Sequence, residues 1–316
     1  MKLLRHGPVC QEKPGALDAH GKARDLSLLV PDFTPEWRTP EKLRALAAFD
    51  LNRMPLVPEG ARFGPPVTGT RQLVAIGLNY RKHAQEAGLE LPKEPVAFTK
   101  ALTSLAGPYG DVLLPAGSEA RDWEIELGFV IGTIARQVTR KRALAHIAGY
   151  CLVNDISERD GQIKRGGTWS KGKSFDGFGP IGPWLVTTDE LPDAQNIPLE
   201  LKVNDQVRQR SNTADMIFPV AEIVSSLSQF MTLLPGDVVI TGTPEGVGLG
   251  MKPNPVLLRR GDVMTLRAGR SARSGRRLSD PGRQGHVHRD STQDVRTCRL
   301  PHLQVPTYAR LVREGV

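Results

Sequence analysis

Between Gln72 and about Ala268 the chain is a succession of short β-branched and aromatic runs cut by Gly, Pro and Asp: LVAIGLNY, VAFTK, DVLLP, WEIELGFVIG, AGYCLVND, GPWLVT, LELKVN, DVVITGT and DVMTL. Runs of this length, bounded by turn residues, form strands. Helical periodicity is confined chiefly to RALAHIAG and PVAEIVSSLSQFM, so strand and helix do not alternate as a doubly wound fold requires. The expected class is α+β, mostly β. An apolar fraction of 39% is enough to bury a core of catalytic size, and no internal repeat is visible.

The flanks differ from this segment. Residues 1–66 begin with the strand-like MKLLRHG and reach TPEKLRALAAF, where Thr39 can cap a helix that has Pro40 at its first position. They are expected to form a small N-terminal accessory domain. The Pro- and Gly-dense run from Pro55 to Arg71 is the expected linker to a catalytic domain at 72–268. Residues 269–316 hold ten Arg, no Lys and no Ile, Phe, Met or Trp. A core cannot be built from them, and they are expected to be a disordered tail.

That tail also carries the charge. Its ten Arg, set against Asp280, Asp290, Asp294 and Glu314, contribute +6 of the formal +8, which leaves the preceding 268 residues nearly neutral. A nucleic-acid-binding protein built on the tail would have attraction without a reading motif, so no nucleic-acid partner is expected. The N-terminus lacks the apolar run of a signal peptide, and no stretch of about 18 apolar residues occurs. Cys10, Cys151 and Cys298 have neither zinc spacing nor the arrangement of a disulfide framework; theirs is the pattern of a reducing compartment. A cytoplasmic protein with no membrane partner is the expectation.

Three constellations can carry chemistry. In DWEIELGFVIG, Glu124 and Glu126 share one face of a strand while Trp123, Ile125, Leu127 and Phe129 share the other. Asp155 ends another buried-type strand, AGYCLVND. Three carboxylates without Cys or His nearby suit a hard divalent ion, Mg²⁺ or Mn²⁺. The same pattern also fits a solvated strand edge and a strand-ending turn.

In NYRKHAQEAG, His83 and Glu86 stand at i and i+3 on one helical turn. A carboxylate-oriented His is a serviceable general base for water, and Gly77 and Gly88 on either side would let the turn move as a lid. An ordinary exposed helical pair reads the same way. In NDISERDGQ, Arg159 and Gln162 follow Asp155 at +4 and +7, one stripe if a helix begins there, with a surface helix as the plain alternative. Lys173 and Thr243 lie in Gly-rich loops, where backbone can approach a ligand closely.

Taken in order, IGLNYRKHAQE, EPVAFTKA, DWEIELGFVIG, GYCLVNDISERDGQ, TWSKGKSFDGFGPIGPWLV and GDVVITGTPEGVGLG resemble the fumarylacetoacetate hydrolase family over about residues 72–268. The resemblance implies the family's mixed β-roll, a homodimer, and Mg²⁺ or Mn²⁺ held by Glu124, Glu126 and Asp155. It puts the lid dyad on His83 and Glu86, groups contacting the substrate carboxylate and enolate on Arg159 and Gln162, the site lysine on Lys173 and the loop threonine on Thr243. Tyr80 and Lys100 fall on further substrate-pocket positions. The implied substrate is a small anionic 2-oxo acid. The expected reaction is hydrolysis of the C3–C4 bond of a 2,4-dioxo acid, an acylpyruvate or a diketo-deoxy sugar acid, to pyruvate and a carboxylic acid.

The same scaffold supports an isomerase, a lyase or an oxaloacetate decarboxylase, and the bacterial subgroup it resembles is labelled ureidoglycolate lyase or 2-hydroxyhepta-2,4-diene-1,7-dioate isomerase. After GDVMTL the family runs on through a GLG-containing closing strand, whereas this chain turns to RAGRSARSGRRLSDPGRQ. An out-of-frame reading of GC-rich coding sequence produces such a switch, and it predicts that the closing strand is lost.

Overall fold

The computed structural model describes residues 1–269 and 272–279. Its centre is a nine-stranded sheet in the order Ala23–Asp25, Lys13–Leu17, Lys2–His6, Leu185–Thr187, Ile147–Asn154, Ile125–Ile131, Val238–Ile240, Leu73–Gly77, Val96–Thr99. The Val238–Ile240 and Leu73–Gly77 strands run parallel; the other neighbours are antiparallel. A five-stranded sheet comprises Gln206–Asn212, Pro198–Val203, Val263–Ala268, Ala272–Ser279 and Tyr109–Leu113. The protein is mostly sheet, as its sequence indicates.

The central strands are buried on both faces, which explains why Ile125–Ile131 and Ile147–Asn154 read as continuous apolar runs rather than alternating ones. Ile125, Leu127, Phe129 and Ile131 enter one core. They pack there with Leu199, Leu201, Met264 and Leu266 of the smaller sheet and with the Val220–Phe230 helix. Val130, Ala148, Cys151 and Val153 enter a second core, closed by Leu3, Leu26, Val30, Phe33 and Leu43. Each fully buried Leu, Ile, Val, Phe or Met among them contributes about 1.5–3 kcal/mol of transfer free energy.

Two features of the structure lie at the expected boundaries. The first 66 residues do not build a sheet of their own: Lys2–His6 pairs with Leu185–Thr187 and extends the central sheet, and the following residues cover its second face. An exposed face of that sheet would be strongly apolar, so the N-terminal segment is part of the same fold. At the other end the structure does not stop at Ala268. Ala272–Ser279 pairs antiparallel with Val263–Ala268 and parallel with Tyr109–Leu113. Backbone pairing on both sides makes a strand of a sequence whose composition argued against one, and a strand occupies the place where loss was expected. The rest of the expected tail, residues 280–316, lies outside the described residues.

Locally, the Pro40–Ala47 helix is capped as expected, with the Thr39 hydroxyl accepting from Lys42 N. RALAHIAG divides: Arg140–Ala143 is helical, one 3₁₀ turn follows, and Ile147 opens a strand. Cys151 is a free, buried thiol pushed up to about 12 by burial, and is chemically inert on that account. Cys10 is disulfide-bonded, although the spacing of the cysteines indicated no disulfide framework. No helix among the described residues is long and apolar enough to cross a membrane.

Candidate active site and metal centre

Strand register assembles the acidic cluster. In the pair Ile125–Ile131 and Ile147–Asn154, Ile125 lies opposite Asn154 and Glu126 opposite Val153. Asp155, one residue past its strand, donates its N–H to the Glu124 carbonyl at 2.8 Å. Glu124, Glu126 and Asp155 are all buried, and each offers an oxygen within 4.8 Å of the others. The third neighbour strand, Val238–Ile240, runs into a turn where Gly242 N–H donates to Glu126 Oε2 at 2.7 Å.

Cations surround two of these carboxylates. Lys173 Nζ lies 2.6 Å from Glu124 Oε2 and 2.8 Å from Asp155 Oδ2. Lys100 donates to Asp155 Oδ1 and, at 3.2 Å, to the Phe178 carbonyl. Arg159 Nη1 reaches Glu124 Oε1 at 2.7 Å and Gln162 Oε1 at 2.9 Å. Burial disfavours the charged form of Glu124, but Lys173 and Arg159 outweigh it and hold the carboxyl below its ordinary value. Burial likewise opposes the charge on Lys173, which Asp155 and Glu124 restore. Lys100 is lowered by burial, with Asp155 acting against it.

Glu126 is the exception. Burial, with Asp155 and Glu124 beside it, pushes its carboxyl well above the ordinary range. With all of them ionised, Asp122, Glu124, Glu126 and Asp155 would carry one negative charge more than Lys100, Arg159 and Lys173 balance, and the raised Glu126 carboxyl is where that excess is felt. A buried cluster of carboxylates with one unneutralised member fits a hard divalent cation with oxygen ligands.

The site opens into a pocket of about 390 Å³, a size suited to a small metabolite. His83, Glu86, Glu124, Glu126, Asp155, Arg159, Gln162 and Thr243 all line it, so residues spread over 160 positions come together there. His83 Nδ1 and Glu86 Oε2 are 3.2 Å apart on the short Arg81–Ala87 helix, and Glu86 Oε1 accepts from Gly246 N–H at 2.9 Å. Thr243 Oγ1 donates to the Ile125 carbonyl and accepts from Gln209 Nε2. Lys100 and Lys173 reach the carboxylates from outside the lining. Tyr80 is not among the lining residues: its hydroxyl is buried, forms no hydrogen bond among the described residues, and is pushed well above its ordinary value by burial.

Two details revise the residue-level reading. Arg159 engages Asp122, Glu124 and Gln162 through Nε, Nη1 and Nη2, so its main contacts are with the protein. Gly77 is not a free hinge: a Cβ there would lie 2.0 Å from Trp169 Cζ3. Gly77→Ala should therefore displace Trp169 from the pocket wall and cost about 1–3 kcal/mol in urea unfolding; unchanged stability would mean that Trp169 does not rest on this backbone. Gly88, at φ 67°, ends the helix in the left-handed conformation.

Asp122 and Gln209 were not legible as site residues. Asp122 is fully buried and accepts from Arg159, Trp123 N–H, Gly248 N–H and Leu249 N–H. Gln209 is equally buried, accepting from Ile125 N–H and bracing the Thr243 loop.

Residues 72–278 match the protein-family model described as "Fumarylacetoacetate (FAA) hydrolase C-terminal". The chain belongs to the fumarylacetoacetate hydrolase family, whose members are enzymes. It is 53% identical over 266 residues to a Burkholderia ambifaria protein named "Putative hydrolase", covering 84% of this chain and 94% of that one. Among solved structures it resembles fumarylacetoacetate hydrolase from Exiguobacterium antarcticum (TM-score 0.76, 32% identity, 89% of this chain and 99% of the other). It also resembles maleylpyruvate hydrolase from Sphingobium sp. SYK-6 (TM-score 0.73, 27% identity, 89% and 100%).

Proposed function

We propose that this protein hydrolyses the C3–C4 bond of a 2,4-dioxo acid, giving pyruvate and a carboxylic acid. The observation that carries the reading is the His83–Glu86 pair standing in the same pocket as the buried triad. Glu124, Glu126 and Asp155 would hold a divalent ion, Mg²⁺ or Mn²⁺, which when bound supplies a Lewis acid for the oxygens of a 2-oxo acid head.

The chain's own groups account for the rest. Glu86, fixed by Gly246 N–H, orients the imidazole so that His83 takes a proton from water. The water oxygen bonds to C4, the C3–C4 bond breaks, and its electron pair remains on the pyruvate fragment as an enolate that is then protonated at C3. Lys173, kept charged by Asp155 and Glu124, offsets the negative charge that develops beside the carboxylates.

The names of similar structures include a 2-hydroxyhepta-2,4-diene-1,7-dioate isomerase from Mycobacterium marinum, and isomerisation or decarboxylation would use the same pocket. The His–Glu pair favours hydrolysis, because neither alternative requires an activated water. A coupled assay for pyruvate should show a loss of about 10²–10⁴-fold in His83→Ala. Wild-type release of CO₂ from oxaloacetate, with no pyruvate formed from any 2,4-dioxo acid, would replace this reading with a decarboxylase.

A further inference from the structure

The part of the pocket beyond the reacting head differs in chemistry from the part around it. Apart from the head-group residues, its walls include Leu78, Leu89, Phe98, Ile163, Trp169 and Leu249. Phe98 and Trp169 meet edge to face, with ring centroids 5.4 Å apart and planes at 69°. The face of Phe98 lies 5.7 Å from Lys173 Nζ, which itself touches Glu124 and Asp155. The aromatic wall therefore begins directly beside the acidic cluster, and on the reading proposed above it would face the substituent on C4. Trp169 is held in that wall by its close seat on Gly77.

Toward the mouth, Leu89 and Ile163 remain 52% and 56% exposed. Large apolar side chains left open around a concavity mark a surface that a ligand covers. Lys252 also lines this region, but its residue is exposed and offers no buried polar partner. A hydroxylated chain laid against the side chains of Leu78, Leu89, Phe98, Ile163, Trp169 and Leu249 would give up hydrogen bonds to water and receive none from them in exchange.

We infer that the substituent on C4 is an apolar chain, aliphatic or aromatic, and not a polyhydroxylated sugar-type chain. This rests on the 2,4-dioxo acid reading above and narrows it to the apolar acylpyruvates. Each methylene that moves from water to the wall should raise specificity about fourfold. Each hydroxyl that loses its water without a new partner should lower it about tenfold.

The test has two arms. In the first, kcat/KM for pyruvate release is measured with Mg²⁺ for 2,4-dioxo acids bearing methyl, ethyl, propyl and phenyl groups, and for a dihydroxylated analogue of propyl length. The expected result is a rise of about fourfold per methylene, a propyl analogue at least tenfold better than its hydroxylated counterpart, and a smaller propyl-to-methyl ratio in Ile163→Asn. In the second arm, unreactive 2-oxoalkanoates that lack the C4 carbonyl are titrated against the tryptophan fluorescence of the protein, and Kd should fall by a similar factor with chain length. A flat series in both arms, or a hydroxylated chain equal to or better than propyl, would overturn the inference. Chain-length-dependent binding with no pyruvate from any substrate would instead support the apolar wall and overturn the reaction.

Discussion

Glu126→Gln is expected to abolish catalysis while leaving the metal-free protein at least as stable as the wild type. The two halves come from one feature. Glu126 is the carboxylate of the triad that forms no ion pair among the described residues, and burial together with Asp155 and Glu124 outweighs Lys173 and raises its pKa well above the ordinary value. A glutamine is nearly the same size, can still accept the Gly242 N–H now given to Glu126 Oε2, and removes a group whose charged form is costly to bury. It also removes a ligand. Activity should fall about 10³-fold or more, the scale on which a site loses its main electrostatic stabiliser.

Mg²⁺ at a hundredfold excess over its Kd should stabilise the wild type by about 2.7 kcal/mol and the variant not at all. The pH dependence in chelator carries the opposite sign to that of an ordinary carboxylate. Because the folded state binds the Glu126 proton more tightly than the unfolded state does, its stabilising contribution is complete below about 4.5 and is lost as pH rises through the elevated folded value. Glu124, whose pKa is lowered, acts in the other direction and only below about 4.5. Thermal melts between these limits should show a slope in the wild type that is absent from Glu126→Gln. Full activity in the variant would remove Glu126 from the metal set.

Asp122→Asn should be the most damaging change outside the acidic triad. Asp122 Oδ2 accepts from Arg159 Nε and Nη2 at 2.8 and 2.7 Å and from Leu249 N–H at 2.9 Å. Its Oδ1 accepts from Trp123 N–H and Gly248 N–H at 2.8 and 2.7 Å. Every neighbour is a donor. An amide necessarily turns an NH₂ toward one set of them and leaves the buried Arg159 without its full counter-charge. Breaking a buried ion pair from one side costs about 3–5 kcal/mol. Arg159 also sets Glu124 and Gln162, and the Gly246–Leu249 loop carries the N–H that holds Glu86. The loss should therefore extend to kcat/KM, by about 10²-fold. Urea unfolding with steady-state kinetics measures both, and a variant of wild-type stability would show that Arg159 does not depend on Asp122.

The contrast between Glu126 and Asp122 shows what the sequence could convey. Glu124, Glu126 and Asp155 were legible because strand alternation and apolar flanks place carboxylates where solvent cannot reach. His83 and Glu86 were legible because a single helical turn brings them together. Asp122 lies two residues before Glu124, yet its role is defined by amides 126 residues later in the chain. Local pattern carries no trace of such a partner.

Gln209 is hidden for the same reason. In QVRQRSN it looks like one more polar residue of an exposed strand, while in the structure it is fully buried and braces Ile125 and Thr243. Gly77 was misread as a hinge because the Trp169 ring that requires a glycine comes from 92 positions downstream. The strand Ala272–Ser279 was missed because composition reports what side chains can bury, whereas this strand is defined by backbone pairing with two neighbours. The N-terminal 66 residues looked separable because nothing local shows that the central sheet has a second face to cover.

The central claim, water addition at C4 with cleavage of the C3–C4 bond, is tested most directly by following both products of one substrate by NMR. With 2,4-dioxohexanoate and Mg²⁺, the protein should convert the substrate to pyruvate and propanoate in equal amounts, with no CO₂, and a chelator should stop the conversion. A substrate that is only tautomerised, or that loses CO₂ without yielding propanoate, would contradict the claim.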